Sequence, residues 1–161
     1  MSELAELAGK LQSEGERLIG FYRGLGQSQW EIEVYTDGDV WTIRNTLAHL
    51  LTSERAFTKL FEQIRQGGSG VTEDFVIDRY NASQQRRTMD LRPSDLLQAF
   101  RQARAAMVTW VSELAEEDLQ RMGRHPYLGV TSLREMLKMV YIHNQLHYRD
   151  ARRALRACRK Q

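Results

Sequence analysis

The run from Leu133 to Cys158, LREMLKMVYIHNQLHYRDARRALRAC, decides how this chain is read. Leu133, Met136, Val140, His143, His147, Ala151, Ala154 and Cys158 recur at steps of three or four, the period of one face of an α-helix. Two histidines therefore lie on an apolar stripe, and their i, i+4 spacing stacks the imidazoles with Cβ atoms about 6 Å apart. A neutral imidazole carries one donor and one acceptor, and leaving either unpaired in an apolar interior costs about 1–3 kcal/mol. The pair accordingly reads either as metal ligands or as core histidines bonded to neighbouring protein groups.

Working outward, three more stripes of the same period appear. Leu4, Leu7, Leu11, Gly15, Leu18, Tyr22 and Leu25 mark a first helix from Ser2, its cap, to Leu25, stopped by Gly26. Ile43, Leu47, Leu50, Glu54, Phe57, Phe61 and Ile64 mark a second, with Thr42 as N-cap and Gly67-Gly68-Ser69-Gly70 as its end. Leu96, Phe100, Ala103, Met107, Trp110 and Leu114 form a third behind Pro93, with Asp95 in its first turn. The histidine helix is the fourth, opened by the capping box Ser132-Leu133-Arg134-Glu135.

More than twenty residues separate the second and third stripes, far more than antiparallel neighbours need, so this connection crosses the bundle and leaves those helices parallel. The expectation is an all-α four-helix bundle, up-down-down-up, with a long crossover between helices two and three that holds a short extra helix within residues 72–88. Only Trp30 to Tyr35 alternates like a strand, and a lone strand has no partner, so it reads as an extended connection on the bundle end. No internal repeat, low-complexity tract or domain boundary is evident, giving one domain over residues 1–161.

With 161 residues the chain can bury a core without needing a metal or disulfide to stay folded, so a metal here would be functional. The single cysteine, Cys158, suits a reducing compartment and argues against a cysteine-rich zinc site. An acidic opening, Met1-Ser2-Glu3-Leu4, and the lack of any membrane-spanning apolar run lead to the expectation of a soluble cytoplasmic protein. Net charge is only +2, yet Arg149, Arg152, Arg153, Arg156, Arg159 and Lys160 crowd the last helix while Glu3, Glu6, Glu14 and Glu16 load the first. Helix-dipole stabilisation and flanking of acidic by basic helices account for this, and nucleic-acid binding is disfavoured.

A catalytic zinc-type centre usually has three protein ligands and an open position. His49 is the third candidate, on the flank of the second stripe beside the small residues Thr46, Ser53 and Ala56. His125, in Gly123-Arg124-His125-Pro126-Tyr127, is a loop histidine within reach of the bundle end as a competing ligand or substrate contact. Glu54 falls on an apolar stripe and must either orient a ligand histidine or pair with a buried arginine such as Arg104. Asn144 stands where a zincin metalloprotease needs its glutamate, which disfavours peptide hydrolysis; paired Glu-x-x-His motifs, phosphate loops and nucleophile elbows are also missing.

Trp41-Thr42-Ile43-Arg44-Asn45-Thr46-Leu47-Ala48-His49-Leu50, with His143-x-x-x-His147 about ninety residues on, resembles the DinB/YfiT-like superfamily, as do Asp78-Arg79-Tyr80-Asn81 and the stretch from His125-Pro126 to Gly129. The resemblance implies a four-helix bundle with a long crossover, often dimeric, whose three histidines, here His49, His143 and His147, bind a divalent metal such as nickel or zinc. Assigned activities in that superfamily include mycothiol-dependent maleylpyruvate isomerase and transferases that use bacterial low-molecular-weight thiols. The expectation is therefore a metal-dependent thiol S-transferase acting on an electrophilic small molecule, with Asn45, Glu54, His125 and Arg149 as surrounding or substrate contacts. Its rivals are a hydrolase and a non-catalytic dimeric ligand-binding module for stress response. Relatives often follow the second histidine with Gln-Ile; Tyr148, Arg149, Asp150 and Ala151 stand here.

Overall fold

A computed structural model describes residues 1–160. In chain order the elements are α1 (Glu3–Arg23), β1 (Glu33–Tyr35), β2 (Trp41–Thr42), α2 (Ile43–Arg65), α3 (Ile77–Thr88), α4 (Pro93–Ser112), β3 (Met122–His125), β4 (Gly129–Ser132) and α5 (Leu133–Arg159). The four long helices α1, α2, α4 and α5 build an up-down-down-up bundle. Glu54 on α2 meets Arg104 on α4 and Glu62 meets Trp110, so those two helices run parallel. Glu3 of α1 meets Arg134 of α5, and Glu14 meets Gln145, so these two are parallel as well.

Helix boundaries follow local chemistry. The Ser2 hydroxyl accepts from the Ala5 amide at 3.2 Å, and the Thr42 hydroxyl from the Asn45 amide at 3.4 Å, each satisfying a donor at a helix start. Ser132 caps α5 in the same way at 3.4 Å, but Glu135 turns to Lys138 at 3.0 Å, so the expected reciprocal box is only half made. Helix α1 ends at Arg23 with Gly24 as cap, two residues before the expected stop.

The crossover between α2 and α4 carries the short helix α3 and is tied down at both ends. The Arg44 guanidinium donates to the carbonyls of Thr88 and Leu91 at 2.5 and 2.6 Å, while Gln85 exchanges bonds with Asn45. At its start, the Arg124 amide donates to the Ser69 carbonyl at 2.8 Å and the Val71 amide to the Arg124 carbonyl at 3.0 Å. Gly70 makes this approach possible: its φ is +89°, and a side chain there would collide with the Arg124 backbone.

Two expectations fail. Residues 33–35 do find a partner, because β1 pairs antiparallel with β2, and a second hairpin joins β3 to β4. The bundle therefore contains a repeated unit: helix, 3₁₀ turn, hairpin, helix occurs as α1 to α2 and again as α4 to α5. In each copy the first helical residue after the hairpin, Ile43 or Leu133, is buried and donates its amide at 2.9 Å to the residue preceding the first strand, Ile32 or Arg121. The sequences match too weakly for this duplication to be visible without the fold.

The interior is layered. One apolar layer gathers Leu4, Leu7, Leu11, Phe61, Ile64, Met107, Val111, Met136 and Leu137, and the other Leu18, Tyr22, Leu47, Leu51, Leu96, Phe100 and Ala151. Between them runs a buried polar belt of His49, Glu54, Arg104, His143, Asn144 and His147. Polar groups this deep need partners, and Arg104 supplies several: it donates to Glu54 at 2.5 and 3.0 Å and to the Leu11 carbonyl at 2.7 Å. Its stem lies against Gly15, where any Cβ would clash with it.

Candidate metal centre

Antiparallel packing of α2 on α5 brings His49 level with His143 and His147, although 94 residues separate His49 from His143. His143 Nε2 lies 3.0 Å from His49 Nε2 and 3.0 Å from His147 Nε2, and the three ligand atoms are all within 4.8 Å of one another. All three residues are at most 9% exposed. Trp41 packs over His49 with ring centroids 5.0 Å apart, and Phe57 presents its ring edgewise to His143 at 6.3 Å.

Protons can be placed from the hydrogen bonds. Burial, and then its bond to Asp150, push the Tyr35 phenol above its ordinary pKa, so it keeps its proton. That proton goes to Asp150 Oδ2 at 2.9 Å, since a carboxylate only accepts. Towards His147 Nδ1, also at 2.9 Å, the Tyr35 oxygen must then accept, so His147 carries its hydrogen on Nδ1. The lone pair of His147 Nε2 consequently faces the other two histidines.

His143 is left in conflict. Its Nδ1 is buried with no hydrogen-bond partner among the described residues. With the proton on Nδ1, the Nε2 lone pair opposes that of His147 at 3.0 Å; with the proton on Nε2, a buried acceptor stays unsatisfied. A cation between the rings removes the lone-pair clash and leaves only the His143 Nδ1–H without a partner among the described residues. Tetrahedral ligation with bonds of about 2.0–2.1 Å sets ligand nitrogens roughly 3.3 Å apart; two of the three pairs here are at 3.0 Å and the third is within 4.8 Å. The site's dimensions and donor set thus fit a divalent metal. Burial also lowers the histidine pKa values, to about 4 for His143, about 3 for His147 and well below the ordinary value for His49, keeping the rings neutral as ligands must be.

Glu54 binds Arg104 and no histidine, the second of its two expected roles. Asn45 sits at the start of α2, its oxygen accepting from Thr42 and its nitrogen donating to Gln85 at 2.9 Å. His125 is no mobile loop residue: it is buried on β3, stacked on Phe57 at 5.2 Å, with Nδ1 accepting from the amides of Tyr127 and Leu128. Arg149 does not line the site. Two residues past His147 is a rotation of about 200° on an α-helix, which turns Arg149 to the opposite face. It reaches the site only through its 3.3 Å contact with Asp150. Tyr35 and Asp150 are the residues that sequence reasoning missed.

Two spaces adjoin the triad. Beside His147 a broad polar cleft of about 870 Å³ is lined by Tyr35, Trp41, Asn45, Asn81 and Gln85 together with the charged Asp37, Asp39, Asp78 and Arg86. Beside His49 a small apolar pocket of about 110 Å³ is lined mainly by Phe57, Leu60, Phe75, Tyr80, Pro126 and Tyr127. Asn81 borders both.

The family model described as DinB superfamily matches residues 10–151. The chain belongs to the DinB superfamily. Among solved structures, it is similar to YfiT from Bacillus subtilis, described as a probable metal-dependent hydrolase with an unusual four-helix bundle topology; the TM-score is 0.78 at 16% identity, covering 98% of this chain and 90% of that one. An uncharacterised protein from Escherichia coli UTI89 gives 0.78 at 12% identity, covering 97% and 94%. Mycothiol-dependent maleylpyruvate isomerase gives 0.76 at 14% identity over 93% of this chain but only 61% of its own. At such identities the likeness establishes a shared four-helix-bundle fold. No curated protein matches in sequence. Among the described residues, no helix is long and apolar enough to cross a membrane.

Proposed function

We propose that this DinB-superfamily protein is an enzyme that holds a divalent metal ion on His49, His143 and His147 and joins a low-molecular-weight thiol to an electrophilic small molecule. The observation that carries the reading is the convergence of three buried, neutral imidazoles, one with its lone pair aimed inward by Tyr35 and Asp150. When bound, such a cation supplies a Lewis acid that lowers the pKa of a thiol or water in an open position. Nickel and zinc both suit a three-imidazole donor set.

The protein's own residues then divide the work. Tyr35 fixes the tautomer and ring plane of His147, while Trp41 and Phe57 shield His49 and His143 from water. The polar cleft suits the thiol: Asn45, Asn81 and Gln85 offer amides to hydroxyl and peptide groups, and three aspartates against one arginine repel anions. The apolar pocket suits the electrophile, and its volume limits the buried part to a group no larger than a small ring. Both spaces open on the triad, so each partner would be held against the same centre.

Calorimetric titration of the metal-loaded protein with mycothiol, bacillithiol, glutathione and coenzyme A tests this. Binding of uncharged mycothiol in preference to polyanionic coenzyme A is expected; no binding to any of them removes the thiol. A hydrolase is the second reading, favoured by the description of YfiT, and turnover of an activated ester or amide with no thiol present would establish it.

A further inference from the structure

We infer that the exposed face of the C-terminal half of α5 is a second binding site, distinct from the metal centre, for the phosphodiester backbone of a nucleic-acid duplex. An open groove of about 980 Å³ runs between this face and α1; its cations are Arg17, Arg149, Arg152, Arg153, Arg156 and Lys160, and the apolar Ile142 and Leu146 also line it.

Two structural facts separate this face from an ordinary solvated one. First, α1 and α5 run parallel, so the acidic start of α1 lies beside the start of α5, where Glu3 pairs with Arg134, and far from the basic end. The neutralisation expected from sequence does not occur: Arg152, Arg153, Arg156, Arg159 and Lys160 have no ion pair among the described residues, and Arg149 and Arg17 have only local ones, with Asp150 and Glu14. Second, the cations are crowded against themselves. Positions 149, 152, 153, 156, 159 and 160 form a chain of i, i+3 and i, i+4 like-charge pairs, each unfavourable on an isolated helix. The helix dipole offsets only those in the last turn.

The occupant follows from shape and chemistry. At about 1.5 Å per residue, the row from Arg149 to Lys160 spans roughly 16 Å, with a cation or two on every turn. That matches a ligand with regularly repeated anions. Arginine predominates, and its planar fork suits phosphate oxygens. Tyr148 spaces two of the forks, with Arg17 and Arg152 each over its ring at 5.2 and 5.3 Å. A bilayer is a poorer match: Ile142 and Leu146 line only the upstream end of the groove, and the cationic stretch from Arg149 to Lys160 carries no large exposed apolar residue to insert. Guanidinium and ammonium groups neutralise phosphate oxygens whatever the base sequence, so the ligand is recognised through its backbone.

Fluorescence polarisation of a labelled 20-base-pair duplex against the full-length protein tests the proposal. With the four groove cations that lack an ion pair among the described residues engaged, Arg152, Arg153, Arg156 and Lys160, log K should fall with log salt at a slope of about −3.6, or about 150-fold between 50 and 200 mM. The triple variant Arg152→Gln, Arg153→Gln, Arg156→Gln should weaken binding at 50 mM salt by at least tenfold and reduce the slope by two or more. It removes exposed side chains, internal repulsion and the Arg152 contact with Tyr148, the last worth about 0.5–1 kcal/mol, so its thermal midpoint should stay within about 4 °C of the parent, and its metal content should match. Arg149 stays intact because it touches Asp150. No binding at 50 mM, a slope shallower than −2, or equal affinity in the triple variant overturns the proposal. So does binding to phosphatidylserine vesicles without binding to the duplex.

Discussion

Replacing Tyr35 with phenylalanine deletes one oxygen, yet that oxygen alone joins His147 to Asp150, 2.9 Å from each. Without it the His147 ring keeps its packing but loses the acceptor that holds its proton on Nδ1, and Asp150 loses a donor. Each lost bond is worth about 0.5–1.5 kcal/mol. Removing such a support behind a metal ligand weakens metal binding by about 10- to 100-fold, which corresponds to about 1.4–2.7 kcal/mol. The assay is competition for zinc or nickel between the protein and a chromogenic chelator at pH 7, on the parent, Tyr35→Phe and Asp150→Asn. Both variants should bind less tightly, and the double variant should lose less than the sum, because the two residues act through one path. Affinity of Tyr35→Phe within threefold of the parent, while His143→Ala abolishes binding, would refute the role assigned to Tyr35.

Three further outcomes are expected. Glu54→Ala leaves the Arg104 guanidinium, 3% exposed, without its carboxylate; breaking a buried pair this way costs about 3–5 kcal/mol, so a scanning-calorimetry midpoint should drop by about 6–20 °C. The metal-free protein should be acid-sensitive: the buried histidines titrate at about 6.5 when unfolded but at about 4 for His143 and lower for His147, so stability is full above pH 6.5 and declines as pH falls towards 4. The urea midpoint followed from pH 7 to 4.5 checks this, and a flat profile contradicts it. Ala56→Leu fills the apolar pocket beside His49 and should suppress conjugation of an aryl electrophile while leaving metal stoichiometry unchanged; undiminished turnover would place the electrophile elsewhere.

The four long helices and their order were legible because each carries an apolar stripe of helical period, and the length of the crossover set their directions. His143 and His147 announce themselves by spacing within one stripe; His49 needed the antiparallel register of α2 and α5 to join them. The hairpins were not legible. Strand β2 has two residues and runs straight into the cap of α2, and β3 to β4 contains Gly123, Pro126 and Gly129, which read as loop. Tyr35 lies 112 residues from His147 and reaches it only because β1 pairs with β2 at the mouth of the site. Asp150 was within reach of sequence reasoning: a carboxylate one turn after His147 shares its side of the helix and invites the question of what it supports. The cations of α5 were visible as a cluster, and the up-down-down-up order already set α1 parallel to α5; what went unread is its consequence, that the acidic start of α1 lies far from them and that Arg152, Arg153, Arg156, Arg159 and Lys160 have no ion pair among the described residues.

Elemental analysis of protein purified without a histidine tag, set beside a His143→Ala variant, measures the central claim most directly. About one equivalent of a divalent metal per chain in the parent, absent from a variant whose helical content is unchanged, is the expected result. A parent that neither retains nor takes up nickel or zinc would contradict it.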